Sequence, residues 1–390
     1  MADQKVYQAS TTAPVNIAVV KYWGKRDAKL NLPTNSSVSV TLSQADLRTH
    51  TTAACSSSFT EDTLLLNSSS QDVSGPRTQA CFRELRSLRA ALEESNPSLP
   101  KLSTLPLRIV SENNFPTAAG LASSAAGFAA LVRAIANLYE LPSSPTDLSR
   151  IARQGSGSAC RSLFGGYVAW QMGWKADGSD SVAVEIAPAS HWPTMRALIL
   201  VVSAEKKGVS STSGMQITVG TSGLFQRRAE IVVPKHMAEM EKAILEKDFQ
   251  AFGKVTMMES NSFHATCLDT FPPIFYLNDV SRAAIRVVED INREAGKIIA
   301  AYTFDAGPNA VIYYEEKDTE AVAGVLNGAL GNLDGWQSRN IKAQSTSALD
   351  ARAVQVLKDG VARVILTQVG EGPIRIEESL IAANGEPIKK

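Results

Sequence analysis

The sequence predicts an α+β fold built as two domains with a cleft between them. With 390 residues, the chain exceeds the size at which a single hydrophobic core stops growing. Short strand-like runs are interspersed with helical patterns, an order typical of layered α+β domains. The sequence shows no internal repeat or heptad run, and it lacks the apolar run of about 18 residues that predicts a membrane span.

The first half of the chain is predicted to begin with strands. Segment 5–20 leads into the apolar run VNIAVV, a short buried strand, and segment 36–66 contains several strand patterns rich in Ser, Thr and Val. LPLRIVSEN predicts a further strand, and the nearly apolar pattern of Leu121–Leu138 predicts a buried helix.

A helical period over 78–96 places three arginines on or near one face. They are Arg83, Arg86 and Arg89. A row of charges on a helix is usually solvated, so we expect this face to lie in water.

A composition shift at 187–194, with the sequence APASHWPT, marks a candidate boundary. We therefore expect an N-terminal domain over 1–193 and a C-terminal domain over 194–390. In the second half, segment 222–255 is predicted to be mostly helical with a break at Pro234. KIIAAYTFD and AVIYYEE predict two strands that are followed by a helix.

Charge and cysteine usage narrow the class of protein. Lysine plus arginine and aspartate plus glutamate number 39 each, so net charge gives no reason to expect nucleic acid or a membrane surface as partner.

The segment MADQKVYQAS lacks the apolar core of a secretory signal, and we expect a cytoplasmic protein. The four cysteines have no metal-site spacing and are expected to be free, buried thiols: Cys55, Cys81, Cys160 and Cys267.

The stretch NFPTAAGLASSAAG is rich in Ala, Gly and Ser and carries no charge. It lacks both the P-loop pattern and the G-x-G-x-x-G pattern of dinucleotide sites. Gly120 would let the backbone approach a ligand, and the free N–H groups of a helix beginning at Ser123 and Ser124 favour a phosphate. By composition alone, tight packing of a small-residue helix explains the stretch equally well.

Two further stretches support a phosphate site. GSGSACRSLFGG supplies Ser156, Ser158 and Arg161, and the guanidinium is a planar fork that suits a carboxylate or phosphate. EKKGVSSTSGM, over Glu205–Met215, has the composition of a lid over phosphates. Taken alone, the first stretch is more often a capped loop and the second an exposed loop.

Together these motifs resemble one known family. PTAAGLASSAAG is similar to the P-x-x-x-G-L-x-S-S-A signature of the GHMP small-molecule kinase superfamily. APVNIAVVKYWGKRD (Ala13–Asp27), GSGSACRSLFGG and YTFDAGPNA (Tyr302–Ala310) resemble one branch of it, the mevalonate diphosphate decarboxylases. The blocks follow in the order of that branch from near residue 13 to beyond residue 310.

The resemblance implies a GHMP-kinase-like fold, with an N-terminal domain like a ribosomal-protein fold, a C-terminal ferredoxin-like domain and the active-site cleft between them. It implies that ATP, with Mg²⁺, phosphorylates the 3-hydroxyl of mevalonate 5-diphosphate. Loss of phosphate and CO₂ then gives isopentenyl diphosphate, a precursor of isoprenoids and sterols. Members of the branch are usually homodimers, so we expect a homodimer.

The resemblance also implies catalytic roles. Asp305 would orient or deprotonate the 3-hydroxyl and Lys21 would pair with Asp305. Arg161, helped by Asn16, would hold the substrate carboxylate, and Ser124 would lie nearest the transferred phosphoryl group. Without the resemblance, Asp305 reads as a turn residue that caps its own backbone, and Lys21 as a strand-end lysine.

The implied substrate-binding residues are Tyr22, Lys25, Arg77, Ser156, Ser158, Arg161 and Thr212. The implied ATP-binding residues are Ser111, Asn113, Ala118, Ala119, Gly120, Leu121, Ala122, Ser123, Ser124, Lys206 and Ser211, with the 206–212 loop closing over the nucleotide. Magnesium is expected to bind mainly through the ATP phosphates, with Ser124 as a candidate contact and no carboxylate ligand named. His264 and Trp23 are expected to be structural.

Two other functions stay open. A related small-molecule kinase would stop at phosphorylation, but such kinases usually carry an Asp in the block that reads GSGSACRSL here, and no Asp lies between Asp147 and Asp177. A non-catalytic relative would be expected to lose Asp305, Lys21 or Arg161, and all three are present.

Overall fold

The computed structural model describes residues 5–115, 123–202 and 209–388. The strands in these ranges are β1 Tyr7–Pro14, β2 Asn16–Val20, β3 Lys25–Asp27, β4 Leu32–Pro33, β5 Ser37–Thr41, β6 Arg48–Cys55, β7 Thr63–Leu66, β8 Ser69–Gln71, β9 Leu107–Asn113, β10 Tyr167–Trp170, β11 Ala183–Ala187, β12 Met195–Val202, β13 Ala300–Thr303, β14 Ala310–Glu315, β15 Val361–Gln368 and β16 Ile374–Ile376. The α-helices are α1 Pro76–Ser95, α2 Ser123–Leu138, α3 Pro145–Gly155, α4 Ser211–Thr221, α5 Gly223–Arg227, α6 Val233–Glu246, α7 Phe249–Leu268, α8 Asp279–Ala295, α9 Val325–Leu330 and α10 Ala351–Gly360.

Three larger sheets organise these elements. The first has the strand order β16-β1-β6-β9-β7-β8, the second β11-β10-β5-β2 and the third β13-β14-β12-β15. Helices α1, α2 and α3 pack on the first sheet, whereas α8, α9 and α10 share a core with the third. Each sheet therefore buries an apolar face against helices, as layered domains require.

A central core joins the second and third sheets, and β12 shows how. Leu198 and Leu200 belong to the core with α8, whereas Ala197 and Ile199 belong to the central core that also contains α6, α7 and the second sheet. Because successive side chains of a strand point to opposite faces, both faces of β12 are buried. This explains why the residues of β12 from Ala197 to Val202 form an unbroken apolar run.

The predicted strand–strand–helix order of the C-terminal part is confirmed, since β13 and β14 pair antiparallel and are followed by helical segments from Glu316. The boundary at residue 193 stays a prediction. The end of the chain nevertheless joins the first sheet, because β16 pairs antiparallel with β1 through Ser10 and Ile376.

The predicted break at Pro234 is wrong. Pro234 lies in the first turn of α6, directly after a π-helical segment over Arg228–Val232, and the backbone stays helical through both. Proline is tolerated in a first turn, where its missing N–H costs no helical hydrogen bond. The helix ends instead at Lys247, which adopts a left-handed conformation with φ 56°.

The expectation of a solvated arginine face on α1 is wrong for Arg89. Its side chain is fully buried and its Nε donates to Glu93 at 3.0 Å. Arg86 forms an ion pair with Asp62, and only Arg83 is exposed. The reason is tertiary: the segment after α1 folds back over Arg89, which donates to the carbonyl of Pro100.

All four cysteines are buried and free, as expected. Among the helices of the described ranges, none combines the length and the apolarity needed to cross a membrane.

Candidate active site

A cavity of ≈ 380 Å³ opens between the end of β2 and the turn after β13. The predicted site residues that line it are Asn16, Lys21, Tyr22, Lys25, Arg77, Ser123, Ser124, Ser156, Ser158, Arg161, Ser211, Thr212 and Asp305. They come from segments far apart in the sequence, so the fold brings the predicted substrate-binding and catalytic groups into one space.

Lys21 and Asp305 form an ion pair at the floor of this cavity. Lys21 lies directly after β2 with its side chain 3% exposed, and its Nζ donates to Oδ1 of Asp305 at 2.8 Å and to the Ala18 carbonyl at 2.6 Å. Burial lowers the pKa of Lys21, although Asp305 opposes this. The side chain of Asp305 is 33% exposed, so part of the carboxylate can still receive a ligand hydroxyl.

Arg161 is a buried cation whose hydrogen-bond partners are neutral. It lies in a 3₁₀ helix over Gly157–Leu163 and donates to Asn16 Oδ1 at 3.3 Å, Ser39 Oγ at 3.0 Å and Ser37 Oγ at 2.5 Å. In the described part of the chain no carboxylate forms an ion pair with it. A buried charge without a counter-ion is costly, so this guanidinium suits an anionic ligand.

Asn16 orients this region from β2. Its Nδ2 donates to Ser162 Oγ at 2.7 Å and to the Ser158 carbonyl at 3.1 Å, and its Oδ1 receives Arg161. The amide therefore fixes both the 3₁₀ helix and the guanidinium that the helix carries.

A second group of basic side chains, Lys25 and Arg77, lines the same cavity. Burial and the neighbouring Arg77 lower the pKa of Lys25 to about 8, and Arg77 Nη2 donates to Thr212 Oγ1 at 2.9 Å. Among the described residues the buried hydroxyl of Tyr22 has no hydrogen-bond partner, and burial raises its pKa. Two mutually repelling cations beside an unpartnered hydroxyl provide donors for an anion such as a diphosphate.

A second cavity of ≈ 390 Å³ meets the first at Ser123 and Ser124, the first residues of α2. Its apolar wall includes Leu64, Leu66, Ile109, Phe128 and Leu131, and the predicted ATP contacts Ser111 and Asn113 line it as well. The Ser124 hydroxyl lies 3.4 Å from that of Ser156. The N-terminus of α2 therefore lies between an apolar cavity and a charged one. The backbone N–H groups at this N-terminus favour the binding of a phosphate there.

Several predicted ATP contacts are placed differently or are not described. Ala118, Ala119, Gly120, Leu121, Ala122 and Lys206 lie outside the described residues. Ser211 and Thr212 belong to the first turn of α4, not to a loop, because Ser210 caps this helix by accepting from the Ser213 N–H. Ser211 lines the first cavity and not the apolar one.

The two residues expected to be structural are both packed in the protein. Trp23 is buried and donates to Thr218 Oγ1 at 3.1 Å. Burial, reinforced by Lys21, lowers the pKa of His264 to about 3, so the imidazole is neutral. Its Nε2 is buried without a hydrogen-bond partner among the described residues.

Sequence reasoning missed several residues of the site. Met215, Phe263 and Ala306 line the first cavity. Glu259 lies beneath it, fully buried, and contacts Lys21. The sequence could have indicated Glu259 by its spacing, because it lies one helical turn after Val255 and one turn before Phe263. This spacing places an acidic residue on the apolar face of α7.

Few of the described side chains are placed to bind a metal ion directly. Within the described ranges no group of three or more His, Cys, Asp or Glu side chains could hold a metal ion. The serine hydroxyls at the junction of the two cavities suit a magnesium ion whose other ligands are phosphate oxygens and water.

Comparison with known proteins identifies the family. Residues 13–183 match the diphosphomevalonate decarboxylase-like N-terminal domain, and residues 197–376 match the mevalonate 5-diphosphate decarboxylase C-terminal domain. The chain is 71% identical over 381 residues to a diphosphomevalonate decarboxylase of Gibberella zeae, covering 97% of this chain and 100% of that protein. It is 59% identical over 387 residues to the one of Saccharomyces cerevisiae, covering 97% and 98%.

Solved structures agree with this assignment. The chain matches a crystal structure of mevalonate 5-diphosphate decarboxylase with a TM-score of 0.90 and 58% identity, covering 97% of this chain and 100% of that one. A structure described as MDDEF in complex with MVAPP, AMPPCP and magnesium matches with a TM-score of 0.74 and 31% identity, covering 96% and 100%. The predicted two-domain α+β fold is thereby confirmed. Two family models match the chain in sequence order, and the relatives match it over nearly their full length. The chain therefore belongs to the mevalonate diphosphate decarboxylase family.

Proposed function

We propose that this chain catalyses the ATP-dependent decarboxylation of mevalonate 5-diphosphate to isopentenyl diphosphate, with release of ADP, phosphate and CO₂. The observation that carries the proposal is one cavity that holds both the Lys21–Asp305 ion pair and Arg161, a buried cation with no acidic partner in the described chain. The names of the relatives support the same reaction.

The positive charges that line the cavity complement the two negatively charged ends of the substrate. Its diphosphate would bind at Tyr22, Lys25 and Arg77, and its carboxylate at Arg161. The 3-hydroxyl between these two ends would then face Asp305 and the start of α2 at Ser124.

In the first step the oxygen of the tertiary alcohol attacks the terminal phosphorus of ATP, the bond from that phosphorus to the bridging oxygen breaks, and ADP leaves. The hydroxyl proton passes by way of Asp305 to the transferred phosphate, so Asp305 is ionised again before the second step. Asp305 accepts a hydrogen bond from the hydroxyl and orients it, while Lys21 holds the carboxylate in place. The apolar cavity suits the base of the nucleotide, and its phosphates would lie at Ser123 and Ser124, on the helix N-terminus. Magnesium, bound through the phosphates, supplies positive charge that stabilises the transferred group.

In the second step the C3–O bond breaks and phosphate leaves. The C1–C2 bond of the substrate breaks as well, its electron pair forms the new C2=C3 double bond, and CO₂ departs. Arg161 holds the carboxylate in a fixed orientation, and the charge of Asp305 stabilises the electron-poor C3.

The decisive assay follows two products at once. Purified protein receives mevalonate 5-diphosphate labelled at C1, together with ATP and Mg²⁺, and labelled CO₂ and ADP are measured in the same samples. Equal release of the two supports the decarboxylase. Formation of ADP without CO₂ would establish a kinase, and formation of neither would favour a non-catalytic relative.

The family resemblance also implies how the protein assembles and where in the cell it acts. We propose a homodimer that acts in the cytoplasm and supplies isopentenyl diphosphate for sterol synthesis, with a domain boundary near residue 193. Light scattering of the purified protein, fractionation of cells and limited proteolysis test these three points.

A further inference from the structure

The backbone of Lys21 is held by side chains and not by a sheet. β2 ends at Val20, so the ladder to β5 stops immediately before Lys21. The Lys21 N–H donates to Oε2 of Glu259 at 2.9 Å. The Lys21 carbonyl accepts from Asn35 Nδ2 at 2.9 Å and from Arg228 Nη2 at 3.3 Å.

Glu259 and Arg228 form a fully buried ion pair. Their side chains are 0% and 2% exposed, and Arg228 donates to both carboxylate oxygens, at 3.2 Å and 2.8 Å. His236 Nδ1 lies 2.6 Å from Oε1 of Glu259. Burial acts to raise the pKa of Glu259, but Arg228 and His236 outweigh it and hold the pKa at about 2. The carboxylate is therefore ionised at neutral pH.

An ion pair in this position is poorly explained by stability alone. Replacing a buried pair with apolar side chains of similar volume is often neutral or stabilising, because both charges must lose their water. Instead, Glu259 accepts a hydrogen bond from the N–H of Lys21 and Arg228 donates one to the carbonyl of the same residue.

The same turn of α7 also holds the partner of Lys21. Ser260 Oγ accepts from the N–H of Phe304 at 3.2 Å, next to Asp305 in the chain. Glu259 and Ser260 thus fix the backbones that carry the two members of the catalytic ion pair, one from β2 and one from the turn after β13.

We infer that Glu259, acting with Arg228, is a positioning residue that fixes the backbone of Lys21 so that its ammonium meets Asp305. The inference rests on the proposed function and adds to it a buried group that does not line the cavity. The charge of Glu259 also acts on Lys21. Of the charged groups that face the ammonium, Asp305 and Glu259 raise the pKa of Lys21 and Arg161 lowers it, while the neighbouring His264 is neutral.

The main test replaces the pair by a double variant, Glu259→Met with Arg228→Met, which keeps volume and removes both charges. The matched control is Arg89→Met with Glu93→Met, because that pair is also buried, at 0% and 4% exposure, and lies away from the cavity. Each protein is assayed for kcat and KM per folded molecule, and hydrogen exchange of the Lys21 amide is measured without substrate.

We expect kcat of the Glu259/Arg228 double variant to fall roughly a hundredfold with KM changed less than about threefold, since a small misplacement of a catalytic group has effects of this size. Exchange of the Lys21 amide should be at least about tenfold faster, because its acceptor is gone. The control pair should leave both quantities at the wild-type value. A wild-type kcat in the Glu259/Arg228 variant, or an equal loss in both double variants, would overturn the inference.

A single variant, Glu259→Gln, keeps an acceptor for the Lys21 N–H but removes the charge. Loss of that charge lowers the pKa of Lys21 further, so the alkaline limb of the kcat–pH profile should move to lower pH, and Glu93→Gln should leave it in place. An unmoved limb together with an unchanged kcat would count against the assigned role. If the wild type releases no CO₂, the proposed function fails, but the amide exchange still decides whether Glu259 and Arg228 hold Lys21.

Discussion

Nζ of Lys21 lies 2.8 Å from Oδ1 of Asp305, although 284 positions separate the two residues in the chain. One stands at the end of β2 and the other in the turn after β13. Their meeting point is the floor of the cavity that also contains Arg161. Neither residue has a partner of opposite charge nearby in sequence, so the pair exists only because the two halves of the chain pack together.

The first prediction concerns the carboxylate of Asp305. Asp305→Asn keeps the size of the side chain and removes its negative charge, so both substrates should still bind while turnover falls about a thousandfold, as for other general bases. Calorimetry measures binding and release of labelled CO₂ measures turnover. Asp359→Asn, on the exposed surface of α10, is the control and should be unaffected. Turnover near the wild-type rate in Asp305→Asn would refute the role of this residue.

The second prediction concerns the buried guanidinium. Arg161→Gln should lower kcat about a hundredfold, because the substrate carboxylate would no longer be held in one orientation. Arg153 offers a matched control, since it is equally buried but donates to backbone carbonyls of Leu30, Gly178 and Ser181. Arg153→Gln should lower the melting temperature and leave the activity of the folded fraction unchanged. Equal kcat losses in the two variants would contradict a specific role for Arg161.

The third prediction is a pH dependence with a defined sign. Lys25 is protonated below its pKa of about 8, and only the protonated form attracts a diphosphate. The ratio kcat/KM for the phosphorylated substrate should therefore fall as pH rises through about 8, because this ratio reports groups of the free enzyme. Arg77→Met removes a neighbouring positive charge, so the pKa of Lys25 should rise and the limb should move to higher pH.

The control for this pH dependence is Lys29→Met, which alters an exposed lysine near β3. It should leave the limb where it is. A limb that stays in place in Arg77→Met would show that Lys25 is not the titrating group.

The fourth prediction separates the two cavities. Gly127 lies in α2 and lines the apolar cavity, and a Cβ placed there would meet open space. Gly127→Leu should fold at least as well as the wild type, because leucine favours a helix by about 1 kcal/mol over glycine. The new side chain should fill the nucleotide cavity and raise KM for ATP about tenfold, with KM for mevalonate 5-diphosphate unchanged.

Gly220→Leu is the matched control, since Gly220 is also helical and open at its Cβ but lies exposed and does not line either cavity. Its KM values should stay at the wild-type level. An increase in KM for mevalonate 5-diphosphate, and not for ATP, in Gly127→Leu would place the nucleotide elsewhere.

The sequence by itself determined the fold class, most of the elements and the charged residues that line the first cavity. Apolar periodicity is local, so β2, β12 and α2 could be predicted from their own segments. The stretch GSGSACRSLFGG likewise offered Arg161 as a candidate for binding an anion, although its composition alone favoured a capped loop and only the family resemblance gave the residue its role.

Only the tertiary structure decided which charges are buried and what they contact. Arg89 looked solvated in its helix and is covered by a later segment, whereas Arg161 is buried beside neutral groups. Glu259 was one acid in an apolar helix pattern until packing brought it to the backbone of Lys21. The free energy of a charge depends on its solvent exposure and on neighbours that are distant in sequence, and a local pattern contains neither.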